Sequence, residues 1–114
     1  MFKMLSNLFK SPFPSIEMED YANDYYKKNN HVLIDVRTPQ EFKSGHIPGA
    51  KNVPLQSLSE NLKKIPKDKN VMVVCRSGHR SGMACRILSN AGYDNITNVR
   101  GGTMRWIAAG HEVK

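Results

Sequence analysis

Residues 75–81 read Cys75-Arg76-Ser77-Gly78-His79-Arg80-Ser81, a thiol followed by two arginines, a glycine and two hydroxyls. That set suits one kind of chemistry, a nucleophilic sulfur held inside a small anion-binding turn. The flanks say how it is held. Residues 71–74 are apolar, mostly β-branched and too few for a helix, so they predict a buried strand. From Ser81 onward Met83, Ala84, Ile87, Leu88 and Ala91 recur on one helical face, with Gly92 as the stop. A strand thus delivers the thiol to a helix N-terminus, where unpaired N–H groups and the positive end of the helix dipole favour an anion. Arg76 and Arg80 are expected to set guanidinium groups on either side of the same point. The Cys75 pKa is therefore expected well below that of a free thiol. A lone cysteine is more often inert filling of a core, but inert filling has no use for two arginines and a glycine turn.

Two more stretches belong with this loop. They are Leu33-Ile34-Asp35-Val36-Arg37-Thr38-Pro39-Gln40-Glu41-Phe42, running on to Gly45-His46-Ile47-Pro48-Gly49-Ala50-Lys51-Asn52, and Val99-Arg100-Gly101-Gly102-Thr103-Met104-Arg105-Trp106. In this order the three motifs resemble those of the rhodanese-type sulfurtransferases, over roughly residues 15–113. The resemblance implies an α/β, rhodanese-like fold, a central and mostly parallel sheet of about five short strands with helices on both faces, and Cys75 as the sulfur carrier. Loop length agrees. Cysteine phosphatases use a C-x5-R cradle, whereas Cys75 to Arg80 is C-x4-R, the smaller loop that resembles the sulfurtransferase type.

The implied reaction is a two-step exchange without metal or cofactor. The Cys75 thiolate takes the outer sulfur of thiosulfate or a persulfide donor, and a thiol, cyanide or protein acceptor then removes it. Within it Arg76 and Arg80 would bind the donor's anionic oxygens. The amides of residues 76–81, among them Ser77, Gly78 and His79, would stabilise charge on sulfur. Ser77 and Ser81 would add hydroxyls, with helix capping the favoured role for Ser81. His79 either guides the acceptor or has no task. Asp35 and Arg37 are supporting residues, either orienting the loop or forming a buried ion pair with each other. The other readings are a regulatory or sulfur-relay module that binds a protein partner, and a phosphatase- or arsenate reductase-like enzyme, which the loop length disfavours.

The rest of the chain bounds these possibilities. A length of 114 residues suits one domain, and 39% hydrophobic with 24% charged residues is ordinary for a soluble one. The net charge of +7 comes from dispersed lysines and arginines without interleaved aromatics, which argues against nucleic acid and for a solvated surface. Two cysteines make no disulfide framework and suit a cytoplasmic setting, with Cys85 a structural residue inside the helix. His31, His46 and His111 show no ligand spacing, so no metal is expected. Residues 1–14 form an N-terminal extension, amphipathic or frayed, too short to span a bilayer and interrupted by Pro12 and Pro14; residues 15–114 form the domain.

Within that domain Ser15 is expected to cap a helix with Glu17, Glu19 and Asp20 in its first turn, running to Asn29-Asn30. Its buried face would be Met18, Tyr21, Ala22 and Tyr25. Residues 32–36, 51–53 and 96–99 read as further strands. Thr38-Pro39-Gln40-Glu41 and Ser57-Leu58-Ser59-Glu60 read as capping boxes opening helices. Trp106 and the tyrosines read as core.

Overall fold

The computed structural model describes residues 12–114. Five strands, β1 (Ser15–Glu17), β2 (Val32–Asp35), β3 (Lys51–Asn52), β4 (Val71–Val74) and β5 (Ile96–Arg100), form one sheet in the order β1-β5-β4-β2-β3. Every pairing is parallel. Among the described residues four α-helices flank the sheet: α1 (Met18–Asp24), α2 (Pro39–Lys43), α3 (His79–Asn90) and α4 (Gly102–Ala108). Two 3-10 turns, Leu55–Glu60 and Leu62–Lys64, fill the connection between β3 and β4.

A strand's period of two decides which residues meet which layer. Val71, Val73 and Cys75 face one way with Ile34, Val36 and Ile96, against Ala84, Cys85 and Leu88 of α3 and Leu58 of the first 3-10 turn. Met72 and Val74 face the other way with Leu33 and Val99, against Met18 and Tyr21 of α1 and Trp106 of α4. Both faces are covered, as an all-parallel sheet requires. Trp106 is fully buried, and its indole N–H donates to the Glu112 carbonyl at 2.7 Å, so its one polar group is satisfied inside the core.

Three local expectations are corrected. Residues 15–17 do not start a helix; they extend the sheet as β1, with Ile16 opposite Val99, and α1 begins only at Met18 without a side-chain cap and ends at Asp24. The acidic residues of this stretch suit the dipole of the following helix equally well, so the sequence pattern did not fix the junction. The Ser57-to-Glu60 stretch caps nothing, because the chain enters a 3-10 turn two residues earlier at Leu55, behind Pro54. The helix after the cysteine starts at His79, two residues before Ser81. The Thr38 box is as read: Thr38 Oγ1 accepts from the Glu41 N–H at 3.2 Å, and Glu41 Oε1 accepts from the Thr38 N–H at 3.0 Å.

The extension assigned to residues 1–14 lies largely outside the described residues. Phe13 is buried in the core, and the Pro14 carbonyl accepts the Asn98 N–H at 2.9 Å, so the chain is tied to the sheet by that point. No described helix is long and apolar enough to cross a membrane.

Candidate active site

β4 is the central strand and ends at Val74, so Cys75 stands at the carboxyl edge of the sheet, where parallel α/β sheets bind ligands. The chain then turns through Gly78, which has φ of +117° in the left-handed region and occupies the N-cap position of α3 without a side-chain cap. The turn folds the loop back over the sulfur. The Gly78 N–H donates to Cys75 Sγ at 3.0 Å, and the Ser81 hydroxyl lies 3.4 Å from the same atom. Burial pushes the Cys75 thiol up, and the Ser81 hydroxyl together with the N–H groups of Ser81, Gly78 and Ser77 outweigh it, holding the thiol below its ordinary range.

The loop is held from outside as well. At the start of α4, the Thr103 N–H donates to the Cys75 carbonyl at 2.9 Å and the Met104 N–H to the Arg76 carbonyl at 3.0 Å. The Thr103 hydroxyl adds a bond to the Cys75 carbonyl at 3.3 Å. Gly102 permits this approach, because a Cβ there would sit 2.3 Å from the Arg76 carbonyl oxygen and 2.6 Å from that of Cys75. With the Cys75 and Arg76 carbonyls committed to α4, the loop is held so that the Gly78 amide faces the sulfur.

A strand-borne thiol under a ring of amides matches an established pattern: the family model of the rhodanese-like domain fits residues 18–109. The chain belongs to the rhodanese-like domain family. It is 37% identical over 95 residues to a sulfurtransferase of Allochromatium vinosum, covering 83% of this chain and 89% of that protein. It is 34% identical over 99 residues to an adenylyltransferase and sulfurtransferase of Meyerozyma guilliermondii, covering 80% of this chain but 23% of that protein. Its fold resembles the crystal structure of a rhodanese-related protein from Thermoplasma volcanium, with a TM-score of 0.81 at 34% identity, covering 90% of this chain and 98% of that one.

In this rhodanese-like domain the two loop arginines have different fates. Arg76 is exposed and borders a cavity of about 250 Å³ with Arg37, Glu41, Thr103 and Met104. Arg80 turns away to Glu41 of α2, which it meets through both nitrogens at 2.6 and 2.8 Å. The Arg80 guanidinium and the bonds from Thr38 hold the Glu41 carboxyl down to about 2, against some burial. The expected pair of guanidiniums flanking one point is thus replaced by one exposed arginine and one anchored arginine. Ser77 and His79 are exposed on the loop.

Ser81 does not cap α3. It is buried inside the first turn, its Oγ 3.1 Å from the Gly78 carbonyl and 2.6 Å from Asn98 Oδ1. Asp35 and Arg37 form a buried pair at 2.8 Å, closed by a bond from Arg37 Nη2 to the Gly45 carbonyl, which fastens the end of β2 to the α2 turn. His46 serves the same turn, its Nδ1 2.8 Å from the Phe42 carbonyl. Cys85 is fully buried and unbonded to Cys75, and burial pushes its thiol up to about 12. A wider hollow of about 540 Å³, lined by Tyr21, Tyr26 and His31, lies at the opposite end of the strands and includes no loop residue.

Sequence reasoning missed Glu41, Asn98 and the clamp at the start of α4. Glu41 was absorbed by its role in the capping box, and nothing local points from it to Arg80. Asn98 carried a usable signal, being a polar residue two positions after Ile96 and so on the buried face of β5.

Proposed function

We propose that this rhodanese-like domain is a sulfurtransferase that carries sulfane sulfur as a persulfide on Cys75. The observation that carries the reading is the Cys75 sulfur lying under the Gly78 amide and the Ser81 hydroxyl at the start of α3. Such a nest of donors suits a single added sulfur atom carrying negative charge. The thiolate attacks the outer sulfur of thiosulfate or of a persulfide donor. A new S–S bond forms on Cys75 while the donor's own bond to that sulfur breaks, and sulfite or a thiolate leaves with the electron pair. A thiol, cyanide or protein acceptor then attacks the outer sulfur and returns Cys75 to the thiolate.

Arg76 is the guanidinium assigned to the donor's anionic oxygens, since Arg80 is committed to Glu41. Arg80 acts instead through the position of the loop. Two free cysteines, one of them the carrier, suit a reducing cytoplasmic setting. Cys75 is 1% exposed, so the incoming sulfur reaches it only as the loop that covers it gives way.

The decisive experiment follows mass and product together. After exposure to thiosulfate or glutathione persulfide the intact protein is expected to gain one sulfur atom on the peptide containing Cys75, and to form thiocyanate when cyanide is added. Cys75→Ser should do neither. Thiocyanate formation by that variant, or a wild-type Cys75 that no small alkylating reagent modifies in the folded protein, overturns the reading.

A further inference from the structure

The Ser81 hydroxyl stands among three groups that compete for its single proton. Its oxygen lies 3.4 Å from Cys75 Sγ, 3.1 Å from the Gly78 carbonyl oxygen and 2.6 Å from Asn98 Oδ1. All of them meet on the α3 side of the sheet, and Ser81 and Asn98 are both buried. As long as Cys75 is a thiol the bonding is consistent: S–H donates to Ser81 Oγ, and the hydroxyl donates to Asn98 Oδ1. Once the proton leaves for solvent, the sulfur has nothing to donate and gains from a further donor beside the Gly78 N–H. With Asn98 Oδ1 still facing it, the hydroxyl is drawn away from the sulfur.

A carboxamide carries an acceptor and a donor on one carbon, and half a turn exchanges them. With Nδ2 toward Ser81, the amide donates to Oγ and the hydroxyl proton is free for the thiolate. The displaced Oδ1 then takes the Gly82 side, where Nδ2 now lies 4.0 Å from the site of an added Cβ. That side opens on a hollow of about 640 Å³ lined by His79, Gly82, Met83 and Arg86, in which water can serve it.

We propose that Asn98 is a positioning residue for Cys75, its carboxamide deciding whether the Ser81 hydroxyl donates to the carrier sulfur or away from it. This rests on the sulfur-carrier reading for its purpose, since a thiolate in waiting is what a sulfur acceptor needs. The charged and titratable groups around Cys75 do not supply this selectivity. Arg80 and Cys85 come from α3, Arg76 and His79 from the loop, and Asp35 of β2 and Glu41 of α2 act through Arg80. None of these touches the Ser81 hydroxyl. The start of α4 contributes backbone N–H groups and the Thr103 hydroxyl, all spent on loop carbonyls.

The test is a cycle of Ser81→Ala, Asn98→Ala and the double variant. The pH midpoint of iodoacetamide modification is read on the Cys75 peptide, so that Cys85 does not contribute. Ser81→Ala is expected to raise the midpoint by roughly 0.5–1 pH unit, the size of a lost hydrogen bond to a charged group after partial replacement by water, and Asn98→Ala to shift it only while Ser81 is present. In the Ser81→Ala background the Asn98 change should add nothing. An unshifted midpoint in Asn98→Ala, or an equal shift with and without Ser81, overturns the proposal, since a residue acting only on the fold has no reason to work through that hydroxyl. Where Asn98→Ala does not fold, Asn98→Asp replaces it. The carboxylate only accepts, so it should raise the midpoint more with Ser81 present than without it, and equal rises refute the coupling. Sulfur loading of the wild type is measured alongside. Its absence sinks the carrier reading, whereas the alkylation cycle judges Asn98 by itself.

Discussion

Replacing Glu41 with glutamine separates the anchoring of the loop from its chemistry. Glu41 accepts two bonds from Arg80 at 2.6 and 2.8 Å and closes the Thr38 cap at 3.0 Å. Its carboxyl is held down to about 2 from 4.5, a difference of roughly 2.5 pH units, which by linkage corresponds to at most about 3.4 kcal/mol. Both partners are about 30% exposed, so solvent screening reduces this to about 1–2 kcal/mol at neutral pH. For a domain of this size that is a fall in Tm of about 5–10 °C. The sign of the pH dependence follows from a depressed carboxylate. The stabilisation is fully present above the unfolded value of 4.5 and is lost as pH falls through 4.5 toward 2. Thermal unfolding of wild type and Glu41→Gln between pH 2 and pH 7 should therefore show two melting curves that converge at the acid end. A constant difference across that range, or none at pH 7, refutes the view that the ion pair is what holds Arg80.

Other consequences follow from the same site. Gly102→Ala sets a methyl group 2.3 Å from the Arg76 carbonyl oxygen, and since backbone cannot step aside cheaply the cost should be at least about 2 kcal/mol in chemical denaturation, with loss of sulfur loading. The two thiols should differ sharply in reactivity. Cys75, held below the ordinary thiol range, should be alkylated at neutral pH, whereas Cys85, pushed up to about 12, should react only on unfolding, as peptide mapping with and without denaturant will show.

What could be read in advance was whatever rests on short-range pattern. The apolar run at residues 71–74, the glycine after the cysteine and the Thr38 box each encode their own geometry within a few residues, and the alternation of strands and helices sets a parallel sheet. β1 was not legible because three residues of mixed polarity carry no strand signal of their own; the sheet recruits them by pairing with β5, eighty residues away in the chain. The partners of Arg80 and of Ser81 were hidden for the same reason. Both arginines looked equally available in the sequence, and only the packing of α2 against the loop gives one of them a carboxylate. The Ser57-to-Glu60 stretch shows the opposite error, a local pattern overruled because the chain already turns at Leu55, behind Pro54, and continues through a second 3-10 segment before β4.

The amides of Thr103 and Met104 that grip the carbonyls of Cys75 and Arg76 belong to the last helix of the fold. During synthesis Cys75 emerges before the residues that brace its loop. A nascent chain that has reached Val99 already carries Cys75 but neither of the two amides, so the carbonyls of its loop wait on the docking of that helix.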